Sequence, residues 1–250
     1  MDGRETPALH VDVRGSGPRT LWVHGAMSNA ARTWRLQTDL VDRWTMLLVT
    51  RRGTPPGPSS GDDFDADAYD IGELLRAAPA HVVAHSYGCM GAIIAAGRDP
   101  HRILSLSLLE PPAFHLVNSP AARSYMAEFE ELQRLSSPAD FRAAFMRMLG
   151  HPAPDPRPLD AETETLIRLT MRSIAPWKAE LPLTDLVAGK VRTLVVTGAH
   201  DALYEDAANE IALRLGAHAH RAVVEGAGHL VPQMAQELNL LLEEFWLEVD

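Results

Sequence analysis

Cysteine is almost absent from this sequence: Cys89 is the single one among 250 residues. That excludes an internal disulfide bond and any metal site built from several cysteines. Long apolar runs are also missing, since no stretch approaches the roughly 18 apolar residues of a membrane-spanning helix. Residues 1–7 are polar and carry both charge signs, without the apolar core of a secretory signal. We therefore predict a soluble, cytoplasmic protein with no membrane partner.

Basic residues are fewer than acidic residues in this sequence. The chain has 23 Lys and Arg against 33 Asp and Glu, which gives a formal net charge of −10. A negative surface repels phosphate backbones and anionic lipid headgroups, so a nucleic-acid partner is disfavoured. The hydrophobic fraction of 46% is ordinary for a globular protein. The length suits one α/β domain that carries an insertion.

Short apolar segments alternate with helical patterns along most of the chain. This alternation predicts an α/β fold, with a mostly parallel sheet flanked by helices. Residues 9–13 alternate between apolar and polar side chains, and a turn at residues 15–18 follows, which suggests an antiparallel edge hairpin. The other predicted strands are residues 21–23, 46–49, 81–84, 103–109, 193–197 and 221–224.

Residues 113–185 interrupt the alternation. They contain three helical patterns, at residues 121–135, 138–149 and 160–174, and the segment 151–158 is too rich in proline for a helix or a central strand. We predict a helical lid, inserted after the sixth strand and covering the carboxyl edge of the sheet. A purely structural helical layer is the alternative. The predicted α/β core then comprises residues 1–112 and 186–250, with the lid at 113–185.

The most informative local pattern is Ala84-His85-Ser86-Tyr87-Gly88. It lies between an apolar segment and a run of small, helix-prone residues. A serine with small residues two positions away on each side, placed between strand and helix, is typical of a nucleophile elbow. The turn is too sharp for large flanking side chains, and it holds the serine in a strained conformation. The pattern predicts that Ser86 is a nucleophile.

A serine nucleophile needs a general base and an acid that orients the base. His229 lies on a glycine-rich loop just after the last predicted strand, and Asp201 follows the preceding strand. We therefore predict His229 as the base and Asp201 as the acid of a catalytic triad with Ser86. An oxyanion hole needs preorganised donors. The backbone N–H groups of Tyr87, after the nucleophile, and of Ala26, after an early strand, are the candidates.

Six segments carry a resemblance to a known family: residues 21–25, 52–53, 84–88, 108–112, 194–201 and 226–229. In this order and spacing the chain resembles the α/β-hydrolase superfamily, in the branch of small esterases, cofactor-free haloperoxidases and carbon–carbon bond hydrolases. The resemblance covers nearly the whole chain and implies no cofactor and no metal. Some members of the superfamily place the acid one strand earlier, so Glu110 is the alternative to Asp201. Ala84 stands where glycine is usual, and Arg51 stands where aspartate is frequent.

The resemblance implies a serine hydrolase that acts on an ester, lactone, thioester or related acyl small molecule, largely apolar, through an acyl-Ser86 intermediate. His24, Phe145, Met148 and Trp177 are expected to contact this substrate. One alternative is a non-hydrolytic lyase or cyclase of secondary metabolism on the same scaffold. A second is a ligand receptor that signals through its lid. The sequence leaves the oligomeric state open.

Five aspartates cluster just before the helical pattern at residues 71–78. A cation-binding loop would explain them, but the glycine and the terminal bidentate glutamate of a calcium hand are missing. A solvated helix entry is therefore the favoured interpretation. The five are Asp62, Asp63, Asp65, Asp67 and Asp70.

Overall fold

The computed structural model describes residues 9–55, 63–151 and 158–248. Across these residues one sheet of seven strands runs through the molecule in the order β1-β3-β2-β4-β5-β6-β7. The strands are β1 Val11–Arg14, β2 Arg19–Val23, β3 Thr45–Val49, β4 Ala80–His85, β5 Ile103–Leu109, β6 Thr193–Thr197 and β7 Ala219–Val223. All neighbours are parallel except the β1–β3 pair. The predicted mostly parallel α/β sheet is confirmed.

The predicted antiparallel edge strand is confirmed, but its predicted hairpin with the next strand is wrong. β1 pairs antiparallel with β3, so that Val11 lies opposite Val49, and β2 lies between β3 and β4. The burial of the two strands explains the arrangement. Residues 20–23 of β2 are buried, whereas β1 is half-exposed to exposed. A buried strand belongs in the interior of a parallel sheet, and a partly exposed strand belongs at its edge.

Helices cover both faces of the sheet. Among the described residues they are α1 Ala30–Thr33, α2 Phe64–Ala77, α3 Gly88–Arg98, α4 Pro120–Leu132, α5 Pro138–Met148, α6 Ala161–Arg172, α7 Leu183–Ala188, α8 Ala202–Leu215 and α9 Ala235–Leu247. α2, α3, α7 and α8 pack on one face through residues such as Ile93 and Ile211. α1 and α9 pack on the other face, where Trp44 and Trp246 lie edge to face at 4.7 Å. None of the described helices has the length and apolar character needed to cross a membrane.

The insertion contributes α4, α5 and α6 and forms an apolar cluster of its own. Phe129, Phe141 and Ile167 lie in this cluster together with Leu203 and Tyr204 of α8. The insertion follows β5, the fifth strand among residues 9–55 and 63–112, whereas the sequence predicted it after the sixth strand. The proline-rich segment 152–157 lies outside the described residues. The domain boundary at 113–185 stays a prediction.

Two of the clustered aspartates are buried and paired. Asp67 receives a hydrogen bond of 2.6 Å from Arg51 Nε, and Asp70 receives two of 2.6 Å from the Arg52 guanidinium. The prediction of a solvated helix entry is therefore wrong for both. α2 packs against α3, which turns these positions inward over the arginines that follow β3. Asp62 lies outside the described residues.

Candidate active site

The elbow has the expected strand–turn–helix geometry. Ser86 follows β4 directly, has φ of 52°, and precedes α3. Its N–H donates to the Leu109 carbonyl at 2.8 Å, which ties the turn to the neighbouring strand β5. Glycine is required at position 88, because a Cβ there would lie 2.6 Å from the His24 carbonyl oxygen. The backbone therefore holds the Ser86 side chain at the carboxyl edge of the sheet.

Backbone strain is concentrated at this edge. Five described non-glycine residues have positive φ, and four of them follow β2, β4, β5 and β6, which are neighbours in the sheet. They are Met27, Ser86, Glu110 and Ala199. Such conformations cost about 1–3 kcal/mol each and are found preferentially at functional sites. The pattern marks the ends of these four strands as a candidate site.

A serine, a histidine and a carboxylate are connected at this edge. His229 Nε2 lies 3.0 Å from Ser86 Oγ, and His229 Nδ1 lies 3.2 Å from Glu110 Oε2. A proton on Nδ1 is donated to Glu110, which leaves the Nε2 lone pair free to accept the hydroxyl proton of Ser86. The loop that carries His229 is held against the end of β6 by a close backbone contact. A Cβ at Gly198 would lie 2.0 Å from the Gly228 carbonyl oxygen.

The carboxylate beside His229 belongs to Glu110, which corrects the predicted contact of Asp201. Asp201 is the N-cap of α8, and its Oδ1 accepts the Leu203 N–H at 2.7 Å. Its short side chain therefore bonds to the first turn of α8. Glu110 follows β5, which pairs directly with the elbow strand β4, and its Oε1 accepts the Gly198 N–H at 2.6 Å. The alternative acid named from the sequence therefore occupies this position.

Burial controls the protonation of this pair. Glu110 is fully buried, and burial raises its pKa to about 7, opposed by the Gly198 N–H and by His200. Burial also lowers the pKa of His229 to about 3, with smaller contributions from His200 and His151. The imidazole of His229 is therefore neutral near pH 7, as a general base must be.

A second histidine faces the same carboxylate. His200 Nδ1 lies 3.5 Å from Glu110 Oε2, and both of its ring nitrogens are buried without a hydrogen-bond partner among the described residues. One donor atom each of Glu110, His200 and His229 lies within 4.8 Å of the others, which is close enough to hold a metal ion. A metal bound through His229 Nδ1 would displace the hydrogen bond to Glu110. The metal site and the triad are therefore mutually exclusive.

His85, the residue before Ser86, contacts the loop that carries His229. His85 Nε2–H donates to the backbone carbonyl of His229 at 2.8 Å. His85 is buried, and burial lowers its pKa to about 3. The neutral imidazole thus links the elbow to the loop that carries His229.

The predicted substrate contact of His24 is wrong. Its side chain has no exposed surface, so it cannot contact a ligand. His24 Nδ1–H donates to the Gly25 carbonyl at 2.8 Å, and Nε2 accepts the Arg51 N–H at 3.1 Å. Burial lowers its pKa to about 3. The residue connects the loops after β2 and β3 beneath the site.

Two cavities meet at Ser86. The larger has a volume of about 460 Å³ and opens toward α1 and the loop after β7, while the smaller, about 30 Å³, extends under the insertion. Ser86, Ala26 and Phe145 line both cavities, and Trp177 lines the smaller one. Met148 packs against the apolar cluster of the insertion instead. Phe145 and Trp177 therefore lie where substrate contacts were predicted.

The smaller cavity is mainly aromatic. Its wall includes Phe114, Tyr125, Phe129, Trp177 and Tyr204. Two hydrogen bonds tie the insertion to the sheet loops around it. Tyr87 Oη donates to the Ile174 carbonyl at 3.0 Å, and the Met27 N–H donates to Thr170 Oγ1 at 3.2 Å. The insertion is thus fixed to the turns that flank Ser86.

Several residues of this site were not singled out from the sequence. His85 and His200 are adjacent to predicted site residues, so proximity to Ser86 and Asp201 was an available signal. Thr170, Arg32 and Arg35 had no such signal, because they reach the site only through the packing of α6 and the segment around α1.

Comparison with known proteins agrees with the fold. The sequence profile described as the Alpha/beta hydrolase family matches residues 20–239. A 2-(acetamidomethylene)succinate hydrolase of Mesorhizobium japonicum is 35% identical over 107 residues, which span 41% of this chain and only 38% of that protein.

Solved structures with similar folds include two esterases. A carboxylesterase of Nitrososphaera gargenis superposes with a TM-score of 0.72 at 14% identity, covering 96% of this chain and 94% of its own. An esterase of Thermogutta terrifontis gives 0.71 at 20% identity, with coverage of 96% and 93%. The N-formylmaleamic acid deformylase of Pseudomonas putida S16 gives 0.63 at 21% identity, with 94% of each chain covered. These identities show a shared fold. Because the family profile covers most of its length, the chain belongs to the alpha/beta hydrolase family.

Proposed function

We propose that this hydrolase-family protein is a serine hydrolase that cleaves an acyl small molecule through an acyl-Ser86 intermediate. The observation that supports this is the continuous connection from Ser86 Oγ to His229 Nε2, at 3.0 Å, and from His229 Nδ1 to Glu110, at 3.2 Å. Each member has the atom that its role requires. The hydroxyl can lose a proton, the imidazole can accept it, and the carboxylate stabilises the resulting imidazolium.

The acylation step follows from this geometry. As Ser86 Oγ attacks the carbonyl carbon, His229 Nε2 takes the hydroxyl proton, and the carbonyl electron pair moves onto its oxygen. The backbone N–H groups of Ala26 and Tyr87 are proposed to stabilise that oxyanion. The imidazolium then donates its proton to the leaving group as the carbon–leaving group bond breaks.

Deacylation reverses the same roles. His229 deprotonates a water molecule that attacks the acyl carbon, and the Ser86 oxygen leaves with the proton from the imidazolium. Glu110 remains hydrogen-bonded to Nδ1 throughout and keeps the tautomer in which Nε2 is the base. Asp201 caps its helix and takes no part in these steps.

The proposed substrates are esters, lactones, thioesters and related acyl compounds. Two proteins in the comparisons are named for acylated nitrogen compounds, the 2-(acetamidomethylene)succinate hydrolase and the N-formylmaleamic acid deformylase. We therefore include amides in the acyl class. The insertion is proposed to act as a lid that shapes the pocket, since Phe145 and Trp177 line the cavities at Ser86.

A fluorophosphonate probe tests the proposal directly. An activated serine attacks the phosphorus, and mass mapping of the labelled protein should locate the adduct on Ser86. Ser86→Ala should abolish the label, and Glu110→Gln should slow it. Absence of labelling, or turnover of an acyl substrate by Ser86→Ala at the normal rate, would contradict covalent catalysis and favour a non-hydrolytic reaction.

A further inference from the structure

We propose that the substrate carries a carboxylate remote from the scissile bond, and that Arg35, assisted by Arg32, binds it in the larger cavity. This inference rests on the proposed function, because it assigns a substrate class to the same site. It differs from the mainly apolar substrate expected from the sequence.

The charge of the larger cavity is opposite to that of the chain. Two arginines, Arg32 and Arg35, line it together with Ser86, and no aspartate or glutamate is among its lining residues. The chain as a whole has a formal net charge of −10. A cavity with one sign of charge concentrates ligands of the opposite sign and excludes ligands of its own sign. The nucleophile therefore faces a cavity that favours anions.

The two arginines differ in their partners. Arg32 lies 3.4 Å from the Glu162 carboxylate of α6, so its charge is partly compensated. Arg35 is exposed, and no hydrogen bond or ion pair joins it to another residue in the described ranges. A guanidinium offers five N–H donors in a planar fork that matches a carboxylate. Arg35 is therefore the residue with donors available for a ligand.

Neutral polar groups accompany the arginines. Ser28 and Thr33 both line the larger cavity, and their hydroxyl oxygens lie 2.8 Å apart. Gln233 lines the cavity from the loop after β7. These side chains can donate to the oxygens of a carboxylate that the guanidinium does not reach.

The two cavities at Ser86 would hold different parts of the substrate. The smaller cavity has an aromatic wall and suits an apolar group, whereas the larger one has the arginines. Since Ser86 lines both, the scissile carbonyl lies at their junction. A substrate with an acyl bond at its centre, an apolar group on one side and a carboxylate on the other matches both cavities. Half-esters of short dicarboxylic acids are the simplest compounds of this kind.

Binding can be measured without turnover. Isothermal titration calorimetry of the Ser86→Ala protein with glutarate should show binding that weakens with added salt, and dimethyl glutarate should bind less tightly. Arg35→Gln should weaken glutarate binding at least about tenfold, in line with the loss of a charge-assisted contact, and leave dimethyl glutarate unchanged. Arg76→Gln is the matched control, because Arg76 is an exposed arginine of α2 that does not line the cavity.

The outcomes separate the anion site from the catalytic proposal. Equal binding of glutarate and its dimethyl ester, or equal effects of Arg35→Gln and Arg76→Gln, would overturn the anion site whatever the protein hydrolyses. Binding of glutarate that depends on Arg35 in a protein whose Ser86 is not labelled by the fluorophosphonate probe would support the anion site and contradict the proposed function. In active protein, Arg35→Gln should raise KM for monomethyl glutarate and not for methyl pentanoate.

Discussion

The Glu110 carboxylate and the Gly198 N–H are joined by a hydrogen bond of 2.6 Å that crosses from the end of β5 to the end of β6. The same carboxylate lies 3.2 Å from His229 Nδ1 through its other oxygen. Each oxygen therefore has one assigned donor. This contact holds the Glu110 carboxylate beside His229, whereas Asp201 caps α8.

Substitution of the two acids should give very different results. Glu110→Gln should lower kcat by roughly 10⁴-fold, because an amide favours the wrong imidazole tautomer. Asp201→Asn should leave kcat near the wild-type value and change stability little, because asparagine caps a helix as well as aspartate does. Steady-state kinetics and urea denaturation of both variants provide the test. A larger loss of kcat from Asp201→Asn would restore Asp201 as the acid.

Activity should depend on pH through Glu110. Its raised pKa of about 7 means that the carboxylate predominates only above that pH. We therefore expect kcat/KM to fall as the pH drops through about 7 and to level off above it. His200 lies 3.5 Å from Glu110 and lowers its pKa. The fall in kcat/KM should therefore occur at a higher pH in His200→Phe than in the wild-type protein. If kcat/KM falls at the same pH in His200→Phe as in the wild-type protein, His200 has only a packing role.

Stability should fall in mild acid. The pKa values of His24, His85 and His229 are lowered from 6.5 to about 3, so below pH 6.5 the unfolded chain binds protons that the folded chain does not. Glu110 has the opposite effect on stability between pH 7 and 4.5. Its raised pKa means that, as the pH falls, the folded chain binds this proton at a higher pH than the unfolded chain does. More groups bind protons first in the unfolded chain than in the folded chain, so the free energy of unfolding should fall as the pH drops from 6.5 to 4.5.

Urea denaturation at several pH values in this range measures that slope. His24→Asn should make the slope shallower, because one of the proton differences between the unfolded and the folded chain is removed. Glu110→Gln should make the slope steeper. An unchanged slope in both variants would show that other groups govern the acid response.

The buried ion pair between Asp70 of α2 and Arg52 should contribute more to the stability of the protein than an exposed ion pair does. Asp70→Asn removes the carboxylate that accepts two hydrogen bonds from the buried Arg52 guanidinium and should destabilise the protein by about 3–5 kcal/mol. Asp65 and Arg98 form a pair of similar length, 2.8 Å, on the surface. Asp65→Asn should therefore cost less than about 1 kcal/mol. The free energies of unfolding in urea should show this difference, and equal losses would contradict it.

Alanine substitutions at three side chains of the insertion should change KM and substrate preference to different extents. Phe145→Ala enlarges both cavities and should change KM or substrate preference most, while Trp177→Ala should affect only groups in the smaller cavity. Met148→Ala should leave KM unchanged, since Met148 packs within the insertion. Kinetics with a series of acyl chain lengths provide the measurement. A change in KM for Met148→Ala as large as for Phe145→Ala would contradict the assigned positions.

The sequence by itself determined the sheet strands that follow local patterns, the elbow at Ser86 and the position of His229 on a glycine-rich loop. These features depend on neighbours a few residues away. Apolar runs form buried strands, and small residues permit the sharp turn. Glu110 was visible as a candidate because it stands at a strand end, but so does Asp201. Local chemistry could not distinguish the two.

Only the tertiary structure decided between the two acids, placed β1 beside β3, buried His24 and paired Asp67 and Asp70 with arginines. Each of these depends on strand order and side-chain reach between residues far apart in the chain. His229 and Glu110 are 119 positions apart, and their contact exists because β5, β6 and β7, whose ends carry the two residues and the Gly198 turn between them, are adjacent and parallel. A carboxylate at the end of β5 thus reaches the imidazole, while one that begins α8 first meets the unpaired N–H groups of its own helix.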